Sequence, residues 1–137
     1  MRNKERNNLL MQIANDALIK SKNNKNSLFK SGTNDIVSSY NGQISGFSVS
    51  IAITGLLPTL AMYYQDGKNA VCLRNILDVI GLMLPELDAS TYNGITCSKS
   101  LFEFAINSKG EKQEKLKRDI IDCAIALKQI VRTYQLV

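Results

Sequence analysis

Residues 36–65 read IVSSYNGQISGFSVSIAITGLLPTLAMYYQ, thirty consecutive positions without a charged side chain, bounded by Asp35 and Asp66. Such a segment crosses a bilayer, forms the buried centre of a small domain, or presents an interface. Its length suffices for a membrane span, which needs about 20 predominantly apolar residues. Its composition argues otherwise. Ser38, Ser39, Asn41, Gln43, Ser45, Ser48, Ser50 and Thr54 interrupt it, and its most apolar part contains the break Gly55-Leu56-Leu57-Pro58. Aromatic side chains flank only one end, at Tyr63 and Tyr64. Amphipathic segments on either side need an apolar element to pack on, so the stretch is read as a buried pair of core helices and no membrane is expected.

Outward from that centre, the chain reads as helices separated by turn signals. Leu9, Leu10, Ile13, Ala14 and Ala17 recur at helical spacing and predict a first helix from Arg2 to about Lys22. Ser21-Lys22-Asn23-Asn24-Lys25-Asn26-Ser27 ends it, because Asn and Ser compete with helical hydrogen bonding. Thr33 or Asn34 is suited to cap a second helix running to about Thr54. Gly55 separates it from a short helix ending near Tyr64. Asn69 to Leu84 predicts an apolar helix stopped at Pro85, since proline lacks the N–H that continues a helix. Residues 86–97 read as loop, Ser98 as the cap of a fifth helix ended at Lys109-Gly110, and Glu111 to Gln135 as a long final helix. No segment alternates with period two over strand length. The expectation is an all-α fold, a compact single-domain bundle of about six helices over residues 1–137.

Charge is distributed unevenly. The net charge is +5, and residues 1–30 carry all of it: Arg2, Lys4, Arg6, Lys20, Lys22, Lys25 and Lys30 stand against Glu5 and Asp16. A basic segment of this kind is a handle for a polyanion, although basic helices also serve as plain solvated faces. On the final helix, at about 100° per residue, Leu116, Ile120, Cys123, Ala124, Leu127, Ile130, Val131 and Tyr134 share one face. Ile121 and Ile125 fall on the other, surrounded by Lys117, Arg118, Lys128 and Arg132. A basic sector with an apolar centre is a candidate contact surface for a protein partner or a nucleic-acid backbone.

No catalytic constellation is found. The chain has no histidine, which removes the commonest general base and metal ligand. Gly42 and Gly46 lack the lysine and preceding strand of a phosphate-binding loop. Cys72, Cys97 and Cys123 have neither metal-ligand spacing nor an even count, and are read as buried cytosolic thiols. The basic N-terminus lacks a secretory apolar core, so a cytoplasmic location is expected. No enzymatic activity, cofactor, metal or small-molecule substrate is expected.

The run Tyr40-Asn-Gly-Gln-Ile-Ser-Gly-Phe47, then Ser48-Val-Ser-Ile-Ala-Ile, then Gly55-Leu-Leu-Pro-Thr-Leu-Ala-Met-Tyr63, resembles the central motif of the Cmr small-subunit family of type III-B CRISPR–Cas effector complexes. The resemblance extends loosely to the basic first helix, to Lys30 and to the long last helix. Ser48-Val49 and Met62-Tyr63 depart from the family's commoner Gly-Ala and Ala-Phe, and residues 85–97 match no motif of it. The resemblance implies a non-catalytic helical protein that stacks with copies of itself and with other Cmr subunits, and that helps hold guide RNA paired with target RNA. Arg2, Lys4, Arg6, Lys20, Lys22, Lys25, Lys30, Lys117, Arg118, Lys128 and Arg132 are then the candidate RNA contacts, and Ile121 and Ile125 the candidate protein interface. Sequence-independent phosphate contacts suit a complex in which base pairing carries specificity. The alternative from the residues alone is a helical interaction module, an adaptor or antitoxin-like protein, without RNA affinity.

Overall fold

The computed structural model describes residues 2–22, 27–65 and 72–137, with the side chains of residues 2 and 3 outside that description. Among the described residues six helices follow one another: α1 (Arg2–Lys22), α2 (Ser39–Thr54), α3 (Leu56–Tyr64), α4 (Arg74–Leu87), α5 (Ser98–Ile106) and α6 (Glu111–Val131). The chain is all-α, and among the described residues no helix is long and apolar enough to cross a membrane. The stripe expected on α6 is the buried one: Leu116, Ile120, Cys123, Ala124, Leu127 and Val131 all face the core. α1 lies along α6 in the same direction, since Arg6 reaches Asp122 and Asn15 reaches Tyr134.

Within the uncharged stretch, Gly55 breaks the helix as expected. Its φ of 100° is a conformation that side chains disfavour, and its N–H still caps Ile51 O at 3.0 Å. α2 buries Tyr40, Ile44, Phe47 and Ile51 against α6 and α3. Phe47 meets Tyr63 edge to face at 4.8 Å, and the Tyr63 hydroxyl donates to Gln43 O at 2.8 Å. The Tyr40 hydroxyl is buried and accepts from Asn75 Nδ2 at 2.9 Å and from Cys72 N at 3.1 Å, which fixes α2 to the start of α4.

Several expectations are corrected. First, α2 begins at Ser39, not near Thr33. Residues 36–38 are drawn into extended pairing with residues 135–137: Ile36 N donates to Gln135 O at 2.8 Å and Ser38 N to Val137 O at 2.8 Å. Phe29 also bridges Ile36, so residues 29–36 form a tight loop in place of a first helical turn. Second, α4 runs through Pro85 to Leu87. In a final turn proline removes only one ladder bond, that to the Gly81 carbonyl, and the helix closes with Asp88 N on Leu84 O at 3.0 Å. Its expected start at Asn69 lies outside the described residues. Third, α6 stops at Val131, because Tyr134 and Leu136 turn back to meet Phe29 and Ile36. Fourth, Cys123 is buried, but Cys72 and Cys97 are half-exposed.

At the start of α5 the cap is Cys97 and not Ser98: Ser100 Oγ accepts from the Thr96 and Cys97 amides at 2.8 and 3.0 Å. The Ser98 amide is taken by Asp78 Oδ1 at 2.7 Å. Here α4 comes so close that a Cβ on Gly81 would lie 3.0 Å from the Cys97 carbonyl oxygen.

The central stretch is not wholly interior. Opposite its buried stripe, α2 carries Gly42, Gly46, Val49 and Ile53 to the surface, with Val49 57% and Ile53 77% exposed. The same helix is therefore apolar on two opposite faces, one packed and one facing out.

Candidate nucleic-acid interface

The described basic residues do not form one surface, and the structure sorts them by end of the bundle, not by helix. Arg6 turns inward. Its guanidinium donates to Asp119 Oδ1 at 3.0 Å and to Asp122 Oδ2 at 2.9 Å, tying α1 to α6. Hydrogen bonding to Asp122 is the main cause that raises the Arg6 pKa, ahead of the opposing effect of its burial. Two carboxylates against one cation leave little charge there for a phosphate. Asp119 is itself buried and also accepts from the Tyr92 hydroxyl and from Lys115 Nζ, which reaches on to Asp88 at 3.0 Å. Burial first, and then the hydrogen bond to Asp119, raise the Tyr92 pKa far above its usual value. This network is a polar bolt through α1, α6 and the loop after α4.

Lys4 is exposed on the same end of α1, and Lys117 and Arg118 lie on the first turns of α6. Arg2 opens α1, but its side chain is outside the described residues, as is all of Lys25. Lys20 is exposed and comes within 3.8 Å of Glu86.

At the other end Lys22, Ser27, Phe29, Lys30, Ser31, Gly32 and Thr33 line a surface cleft of about 400 Å³. Local chemistry builds it. The Phe29–Ile36 bridge closes the loop, Lys30 N donates to Asp35 O at 2.8 Å, and Thr33 Oγ1 donates to Lys30 O at 2.8 Å. Gly32 sits at its tip with φ 75° and open space around it. Lys22 Nζ lies 5.3 Å above the Phe29 ring and donates to Asn34 Oδ1. Phe29 in turn meets Tyr134 edge to face at 5.3 Å. That contact brings the end of α6 beside the cleft, so Arg132, two residues before Tyr134 and exposed, shares this end with Lys22 and Lys30. Lys128 is half-buried one turn earlier. Among the described residues Lys4, Lys30, Lys117, Arg118, Lys128 and Arg132 make no ion pair.

The cleft can hold an oxyanion chemically: two ammonium groups and three hydroxyls line it, with no carboxylate among the lining residues. Ile121 is half-buried and packs on the core, whereas Ile125 is 48% exposed and lines a shallow groove with Asn7, Leu10 and Gln129 of the α1–α6 seam. Sequence reading missed the cleft's hydroxyl loop because it assigned Thr33 to a helix cap, whereas Thr33 Oγ1 turns back onto Lys30 O. It missed the commitment of Arg6 because the pairing spans 113 and 116 residues. The helical spacing of Asp119 and Asp122 was the available signal.

Comparison with known protein families, with curated proteins and with solved structures returns no match.

Proposed function

We propose that this chain is a non-catalytic small subunit of a type III-B CRISPR–Cas (Cmr) effector ribonucleoprotein, acting in antiviral defence. In that role it stacks with other subunits and copies of itself and steadies the guide RNA–target RNA duplex. The observation that carries the reading is the motif from Tyr40 to Tyr63. Its apolar letters Tyr40, Phe47, Leu56, Leu60 and Tyr63 are core residues, and its Gly55 makes the break between α2 and α3. These positions fix the fold and leave RNA contact to basic groups elsewhere. The cleft at Lys22 and Lys30, with Arg132 beside it, is the phosphate-binding end. Lys4, Lys117 and Arg118 form a second, more distant set, and Arg6 is assigned to structure.

Charge reversal by end tests this: Lys22→Glu with Lys30→Glu, against Lys117→Glu with Arg118→Glu, each titrated with a guide–target RNA duplex at several salt concentrations. Loss of affinity and a shallower salt dependence for the first pair support the assignment. Affinity and salt dependence unchanged in both pairs overturn it.

A helical protein–protein interaction module without RNA affinity is the second reading, favoured by the exposed uncharged face at Val49 and Ile53. It predicts a stable protein complex and no RNA retention at moderate salt.

A further inference from the structure

From the outward face of α2 we infer that two copies of this chain pair through it, antiparallel, about a two-fold axis. Gly42, Gly46, Val49 and Ile53 recur at steps of four, three and four residues, the spacing of a helix–helix seam. At about 100° per residue they fall within about 60° of one another, directly opposite the buried stripe of Tyr40, Ile44, Phe47 and Ile51. The seam has holes at one end and knobs at the other. Gly42 has open space where a Cβ would stand, and Gly46 has only the Tyr63 hydroxyl, 3.8 Å away. Val49 and Ile53 project into solvent.

That order is self-complementary. An axis passing midway between Phe47 and Ser48 places Ile53 of each copy over Gly42 of the other, and Val49 over Gly46. Four knob-in-hole contacts form at once, as an isologous interface requires. A parallel arrangement in register would set glycine against glycine and isoleucine against isoleucine, leaving gaps at one end and crowding at the other.

Self-complementarity selects a second copy as the occupant, and charge does not oppose it on this face. The chain carries +5, so two copies repel over most approaches. The α2 face lies within residues 36–65, where no side chain is charged, so it is where two copies meet without opposing like charges. Area sets the strength. α2 has 16 residues, about 24 Å of helix about 10 Å wide. The pair therefore buries a few hundred Å² per copy, against roughly 800 Å² per partner in stable complexes. The dimer is accordingly weak and populated only at roughly 100 µM and above. This pairing holds whether or not the chain binds RNA, and it closes as a dimer, unlike head-to-tail stacking.

The test uses the full chain. Gly42→Cys and Ile53→Cys are prepared separately, mixed under mild oxidation, and mapped by mass spectrometry for linked peptides. The antiparallel register puts residue 42 against residue 53 of the other copy, so a 42–53 disulfide forms in the mixture. Two copies of position 42 stand about 16 Å apart along the axis, too far to bridge, so neither variant alone forms a disulfide between two copies of its new cysteine. Sedimentation of the wild-type chain from about 10 µM to about 1 mM should show a monomer–dimer equilibrium. Ile53→Glu should abolish it with unchanged helical circular dichroism, and Ile53→Leu should retain it. A 42–42 or 53–53 disulfide in place of the mixed one, or a wild-type monomer throughout, overturns the proposal. The second result leaves the face to a different protein.

Discussion

Replacing Arg6 by Gln separates a structural cation from a functional one. The guanidinium donates to Asp119 at 3.0 Å and to Asp122 at 2.9 and 3.3 Å. Hydrogen bonds to charged groups contribute about 1.5–3 kcal/mol each, but Arg6 and Asp122 are each 38% exposed, so the Asp122 pair is discounted for solvent screening. The Asp119 side chain is 7% exposed and keeps only Lys115 and Tyr92 when Arg6 is lost. The expected loss is about 2 kcal/mol, below the 3–5 kcal/mol of a fully buried pair. With a urea m-value of about 2 kcal/mol/M, the unfolding midpoint falls by about 1 M. Duplex binding at low denaturant should keep the wild-type salt dependence, because Arg6 has no free charge to neutralise a phosphate. Two results would refute the reasoning. One is stability within about 0.5 kcal/mol of wild type, the ordinary range of an inconsequential surface change. The other is a salt slope reduced by about one contact.

Two glycine substitutions should act with opposite sign. Gly81→Ala adds a Cβ 3.0 Å from the Cys97 carbonyl, in backbone held by the bond from Ser98 N to Asp78, and the crowding, about 1–3 kcal/mol, outweighs a helix-propensity gain of about 1 kcal/mol. Gly42→Ala has open space and should stabilise by about 0.5–1 kcal/mol, both read from urea midpoints. Alkaline unfolding should depend on Tyr92. Its folded-state pKa is raised, by burial and then by the bond to Asp119, so the stability it contributes is complete below the ordinary value of 10.0 and is lost as pH rises beyond it. Tyr40 and Tyr63 shift the same way through burial, so Tyr92→Phe should make the decline above pH 10 shallower without removing it.

Local signals made much of this fold legible. The stripes of α1 and α6, the Gly55 break and the Lys109-Gly110 stop are written within a few residues of where they act, and the bundle follows from them. What escaped depends on distant partners. Thr33 and Asn34 are plausible caps, but Ile36 and Ser38 are captured by residues 135–137, and the same pairing shortens α6. Pro85 is a breaker in general, yet costs little where only two helical residues follow. The absence of charge from 36 to 65 suggested complete burial. It did not distinguish a packed face from an outward one, since Ile51 and Ile53 look alike until the helix is placed. For the site, sequence identified the basic side chains but not their grouping. The ring contacts joining Lys22 to Phe29 and Phe29 to Tyr134 carry residues over a hundred positions apart to one end of the molecule.

The most direct measurement is the salt dependence of guide–target duplex binding by the wild-type chain and by the Lys22→Glu, Lys30→Glu, Arg132→Glu triple variant. Each lost phosphate contact should lower the slope of log affinity against log salt by about 0.7–0.9. A basic end that grips RNA predicts a slope shallower by about two and markedly weaker binding, with helical content unchanged. Equal slopes and affinities, or no binding by the wild-type chain at low salt, would contradict the account.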